Sequence, residues 1–187
     1  MKVTSIIPNS TTGTFRVALL CGLIAAAPFL ALASDAGHDH HTSARLVRIV
    51  QQHTQQFIDV SNTHDAGYDP LFGCVTGPDH GAMGIHYINL GLVGDGGLDE
   101  KYPEALIYEP VGNKKRLVGV EYIVDSETWL NSHNGVPPQL EGQAFQLVGS
   151  PNRYGLNPFF ELHVWAWRDN PNGAFVDWNN NVSCEGK

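Results

Sequence analysis

From Met83 to the C-terminus the chain is a succession of short apolar segments separated by clusters of turn-forming residues, and this alternation is what most constrains the fold. The segments are Met83–Leu92, Ala105–Glu109, Arg116–Val124, Gln143–Val148, Phe159–Trp167 and Ala174–Trp178. Between them lie GDGG, EPVGNKK, NGVPP, GSPNRYGLNP and RDNPNG, which are too rich in Gly, Pro, Asn and Asp to continue a strand or a helix. The spacing predicts antiparallel strands, with 105–109 and 116–124 paired as a hairpin. The stretch Asp125 to Gly142 reads as a long loop, a lid or a rim. Upstream, Leu46, Ile49, Val50, His53, Phe57 and Val60 recur with helical period and form one apolar stripe. A helix beginning near Ala44, behind Thr42 or Ser43 as cap, should run to about Asn62. The expected class is α+β: this N-terminal amphipathic helix packs on an antiparallel sheet curled into a small barrel or cone.

The first 33 residues read as a leader rather than as part of that fold. Lys2 and Arg16 are their only charges, Val17 to Ala33 is apolar, and Ala31-Leu32-Ala33 has the small-x-small pattern of a signal-peptidase site. Residues 34–42 read as a polar tail carrying His38, His40 and His41, and 43–187 as a single globular domain. The implied location is exported, periplasmic or extracellular, without stable membrane insertion once the leader is removed. Cleavage leaves 19 acidic residues against nine basic ones, a net charge of −10. That balance excludes a nucleic-acid partner, which needs a basic face. Only Cys74 and Cys184 remain. In an exported chain two cysteines favour one disulfide, and two buried thiols are the alternative.

Candidate chemistry comes from polar residues inside apolar strands, because alternate side chains take opposite faces. His86 shares a face with Gly84 and Ile88. Glu121 shares one with Leu117, Gly119 and Ile123, opposite Val118, Val120, Tyr122 and Val124. His163 shares one with Glu161, Trp165 and Trp167, opposite Phe160, Leu162, Val164 and Ala166. A carboxylate buried alone is costly, so Glu121 should meet a cation, a donor or a metal. Imidazole plus carboxylate is a common ligand set for Zn, Fe, Cu and Mn. The expected site is a divalent transition metal held by His80, His86, His163 and Glu121, with Glu121 or Glu109 as fourth ligand or general base. The competing reading is structural: either histidine could bond a carbonyl, and Glu121 could pair with Arg116, Arg153 or Arg168.

The motifs GCVTGPDHGAMGIHYIN, PEALIYEP, LVGVEY, ELHVWAWRDNPNGAFVDWN and VSC together resemble a family of small exported, mostly bacterial single-domain proteins without an assigned activity. The resemblance covers about residues 43–184 and implies a single-domain member of that family. It carries over no catalytic residue. The His-x-His-then-Glu spacing of cupins is absent, so that fold is an architectural analogy only. Three functions stay open on the sequence: a metal-dependent enzyme acting on a small molecule, a non-catalytic module binding a metal or small ligand, and a purely structural exported domain.

Overall fold

The computed structural model describes residues 37–77 and 79–186, with side chains from Arg45 onward. The expected leader, 1–33, and the first residues of the polar tail lie outside the described residues. Helix α1 (Gly37–Thr54) takes in the rest of the stretch read as tail. It does not run on to Asn62 as one helix. The Thr54 hydroxyl bonds back to the Val50 carbonyl, and three single 3-10 turns follow, over 55–58, 60–62 and 64–66. Asp59 caps the second by accepting from the Ser61 N–H, a side-chain–backbone bond that competes with helix continuation. Gly67, at φ 84°, ends the series in the left-handed conformation that suits glycine.

Eight strands follow in chain order: β1 (Asp69–Thr76), β2 (Ala82–Ile88), β3 (Ala105–Val111), β4 (Lys114–Asp125), β5 (Gln139–Leu140), β6 (Gln143–Ala144), β7 (Gln146–Val148) and β8 (Phe159–Val164). Six form one sheet in the order β1-β2-β3-β4-β8-β7, antiparallel throughout, and β5-β6 form a separate ribbon. The expected 105–109/116–124 hairpin is β3-β4. No described pairing joins β7 to β1, so the sheet is a curled half-barrel rather than a closed barrel.

Several boundaries differ from the sequence reading, each for a local reason. Asp69–Thr76 is a strand although Pro70 and Gly73 mark it as a turn; it sits at the sheet edge, where a missing donor is tolerated. The segment from Met83 stops at Ile88 because Asn89 accepts from the Gly91 and Leu92 N–H groups and caps a short helix, α2 (Leu90–Asp95). The 125–142 stretch is not a bare loop. Asp125 accepts from the Thr128 N–H and starts α3 (Ser126–Ser132), and β5-β6 follow. Residues 174–178 form no strand; the nearby ladder contact is a single bridge, Ala82 with Asn179. Among the described residues no helix is long and apolar enough to cross a membrane.

One face of the sheet carries the main core. Tyr87, Leu106, Tyr108, Leu117, Val120, Tyr122, Val124, Phe160, Leu162 and Val164 pack with Leu46, Val50 and Phe57. Each such aliphatic or aromatic side chain contributes about 1.5–3 kcal/mol by leaving water. The buried phenols stay satisfied: Tyr108 donates to the Phe57 carbonyl at 2.6 Å, Tyr122 to that of Glu100 and Tyr68 to that of Pro103.

The opposite face holds Ala82, Ile107, Val118 and Trp165, with Val182 and Cys184 of the C-terminal segment against them. A β-bulge corrects two of the expected face assignments. Ile107 pairs with Gly119 but Tyr108 with Leu117, leaving Val118 extra. The added residue flips the alternation, so Leu117 joins the main core and Val118 the opposite face. Trp167 also lies on the core side, because β8 ends at Val164 and the period-2 rule ends with it; its indole donates to the Thr54 hydroxyl. A disulfide joins Cys74 to Cys184 with Cα atoms 5.8 Å apart, tying the C-terminal segment to β1.

Candidate metal centre

His86, Glu121 and His163 come together on this second face. Ladder geometry explains why. Glu121 of β4 is the direct cross-strand partner of His163 of β8, and of Ala105 of β3. His86 of β2 pairs with Ile107, two residues along β3 on the same face. The potential ligand atoms of all three lie within 4.8 Å of one another, and the three residues are buried. The His86 Nε2 lies 3.3 Å from Glu121 Oε2.

A second group with the same mutual reach consists of Glu161, His163 and Asp177. Glu161 lies two residues before His163 on β8, so it shares that face. Asp177 arrives from the irregular C-terminal segment, which Trp165 anchors twice: its N–H donates to the Ala174 carbonyl and its indole to that of Val176. Gln146 of β7 donates to Asp177 Oδ2 at 2.8 Å, and Oδ1 stands 3.7 Å from His163 Nδ1. Five side chains, two imidazoles and three carboxylates, thus converge. Buried His, Glu and Asp in this arrangement could hold a metal ion.

Burial sets their protonation. Desolvation pulls His163 down to about 3. It does the same to His86, helped by the neighbouring His163 ring and opposed by a hydrogen bond to the Gly84 backbone. Both rings are therefore neutral at physiological pH, the form in which imidazole ligates metals. Desolvation raises Glu121 strongly, and the charge and hydrogen bond of Glu161 push it further. Glu161 itself is raised to about 7, chiefly by burial. Asp177 is raised by burial against the hydrogen bond from Gln146.

Two observations bear on the structural alternative. The three arginines that might neutralise Glu121 are engaged elsewhere: Arg116 with Glu109, Arg168 with the Asn181 carbonyl, and Arg153 over the Trp178 ring. His163 is 1% exposed, yet neither ring nitrogen has a hydrogen-bond partner. A core histidine kept for structure normally satisfies at least one.

The other two expected site residues lie apart. Glu109 accepts from the Ser183 N–H on Oε1 and from Arg116 on Oε2, so its carboxylate fastens the C-terminal segment. His80 is exposed, in the turn between β1 and β2. It lines an outer cavity of about 400 Å³ with Gln146, Asn172, Trp178 and Asp177, and belongs to neither ligand-distance group. A smaller apolar pocket, about 40 Å³, lies over His86 and Glu121 and is walled by Phe72, Ile88, Ile123, Tyr154, Leu156 and Phe159. Phe72 holds φ at 65°, a strained conformation for an aromatic residue, with its ring against Tyr154.

Comparison of the chain with family models, with curated proteins and with solved structures finds no match.

Proposed function

We propose that this chain is an exported domain, of the small single-domain family its motifs resemble, that binds a divalent transition metal through His86, Glu121 and His163. The apolar pocket above His86 and Glu121, about 40 Å³, has room beside the bound ion for a water or a molecule of similar size. The observation that carries this reading is His163: buried, and unpartnered at both nitrogens within ligand reach of Glu121, Glu161 and Asp177. Three protein ligands leave a coordination position for water or a small molecule, which is the arrangement of catalytic rather than structural sites. The disulfide is consistent with an oxidising compartment and so supports export.

Equilibrium dialysis of metal-free protein against Zn²⁺ and Co²⁺ tests the reading. At least one equivalent should bind, and His86→Ala and His163→Leu should each bind at least one equivalent fewer than the wild type while circular dichroism shows both variants folded. The absence of any bound ion in the wild type, or an ion fully retained in both folded variants, overturns it.

A further inference from the structure

We infer that His163 serves two cation positions at once, the His86–Glu121 position through one ring nitrogen and a second position, made with Glu161 and Asp177, through the other. This rests on the metal-binding reading above and extends it. His163 is the member common to both groups of ligand-distance side chains, and both of its nitrogens are unpartnered. A ring that supplied a single ion would leave its remaining N–H buried and unsatisfied; metal-ligating histidines normally donate that proton to a carboxylate, carbonyl or water. Here Nδ1 points to Asp177 Oδ1, but at 3.7 Å, beyond hydrogen-bond length. That gap is too long for a bond and suits an intervening ion.

The Asp177 side is a built site. Gln146 holds Oδ2 and thereby turns Oδ1 toward the ring. Gln146 is also the cross-strand partner of Glu161, so the residue that holds Asp177 stands beside Glu161 in the ladder. Asp177 also lines the 400 Å³ outer cavity, which gives an ion a polar way in from solvent.

Charge closes the account. When the second ion binds, the ring gives up its remaining N–H proton to solvent and a nitrogen–metal bond replaces the N–H bond. Cations lower a ligand's proton affinity enough for this. Any proton held on Glu121 or Glu161 also leaves to solvent as the ions bind; two divalent ions, three carboxylates and one imidazolate then sum to zero, so no net charge stays buried.

The test is a copper titration of metal-free protein in which His38, His40 and His41 are replaced by alanine, so that the tail contributes no ions. Two equivalents should bind. The electron paramagnetic resonance intensity should rise with the first and fall with the second, as the two ions couple through the ring. Asp177→Asn, which keeps the side chain's shape, should bind one equivalent with an affinity within a few-fold of the first and an undiminished signal. One equivalent in both proteins overturns the second position and leaves the His86–Glu121–His163 reading standing. Two uncoupled ions, both retained in Asp177→Asn, also overturn it. No bound ion in either protein overturns the metal reading itself.

Discussion

Replacing His163 by leucine should stabilise the metal-free protein and abolish its response to metal. The ring is 1% exposed and satisfies neither nitrogen. Each buried, unpaired polar group costs about 1–3 kcal/mol, and replacing it with an apolar group of similar volume removes that cost. Two such groups at the low end give about 2 kcal/mol. For a chain of this size that is a rise in Tm of roughly 4–8 °C. With metal at a thousand times its Kd the wild type gains about 4 kcal/mol and the variant little. The order of the two proteins therefore reverses between metal-free and metal-loaded samples. Differential scanning calorimetry with and without Zn²⁺ reads both effects. A variant that is destabilised by 2 kcal/mol or more without metal, and still shows the wild-type shift with it, would refute the reasoning, because His163 would then be a packed core residue with partners.

Three further outcomes are expected. Burial pushes the Glu104 carboxyl, which accepts from the Ile123 N–H, up to about 8; its folded value exceeds the unfolded one of 4.5, so its stabilisation is full below pH 4.5 and is lost as pH rises through 8. Urea unfolding of metal-free samples should therefore show Glu104→Gln gaining about 4 kcal/mol on the wild type between pH 5 and pH 8.5, and no relative gain would contradict the burial argument. Removing the disulfide by Cys74→Ser with Cys184→Ser frees a loop of sequence separation 110 and should cost about 4–5 kcal/mol, seen as a lower denaturant midpoint. Gly84 sits at φ 105°, and a Cβ there would lie 2.7 Å from the Tyr108 carbonyl oxygen; Gly84→Ala should cost about 2–3 kcal/mol and weaken metal binding through its neighbour His86.

Much of the sheet is legible in the sequence because its strands obey a two-residue period. β2, the β3-β4 hairpin and β8 fall where alternation and turn residues place them, and His86, Glu121 and His163 stand out as polar interruptions of apolar runs. What the period does not encode is a change of count. The extra Val118 inverts the faces upstream of Gly119, and no local signal marks it. The edge strand β1 carries Pro70 and Gly73, which read as turn residues until the edge position is known. The α3 helix is missed because a single capping side chain, Asp125 accepting from the Thr128 N–H, starts it inside a stretch rich in turn formers.

The site divides the same way. Glu161 lies on the His163 face by alternation alone, yet nothing in the sequence distinguishes it from a solvent-facing glutamate, and its burial depends on the segment that covers that face. Asp177 reaches the cluster through tertiary anchoring by Trp165 and Gln146, which has no sequence period. His80 and Glu109 illustrate the converse. Both have the right chemistry near the right strands, but the β1-β2 turn carries one outward and the C-terminal segment occupies the other.

The central claim is that a metal ion sits among His86, Glu121 and His163. Anomalous diffraction at the zinc edge, on crystals of the protein grown with Zn²⁺, tests it most directly. The account predicts a peak about 2.0–2.2 Å from a nitrogen of each histidine and from a Glu121 oxygen. Crystals in which the zinc signal is confined to surface histidines, while both ring nitrogens of His163 contact only protein or water, would contradict it.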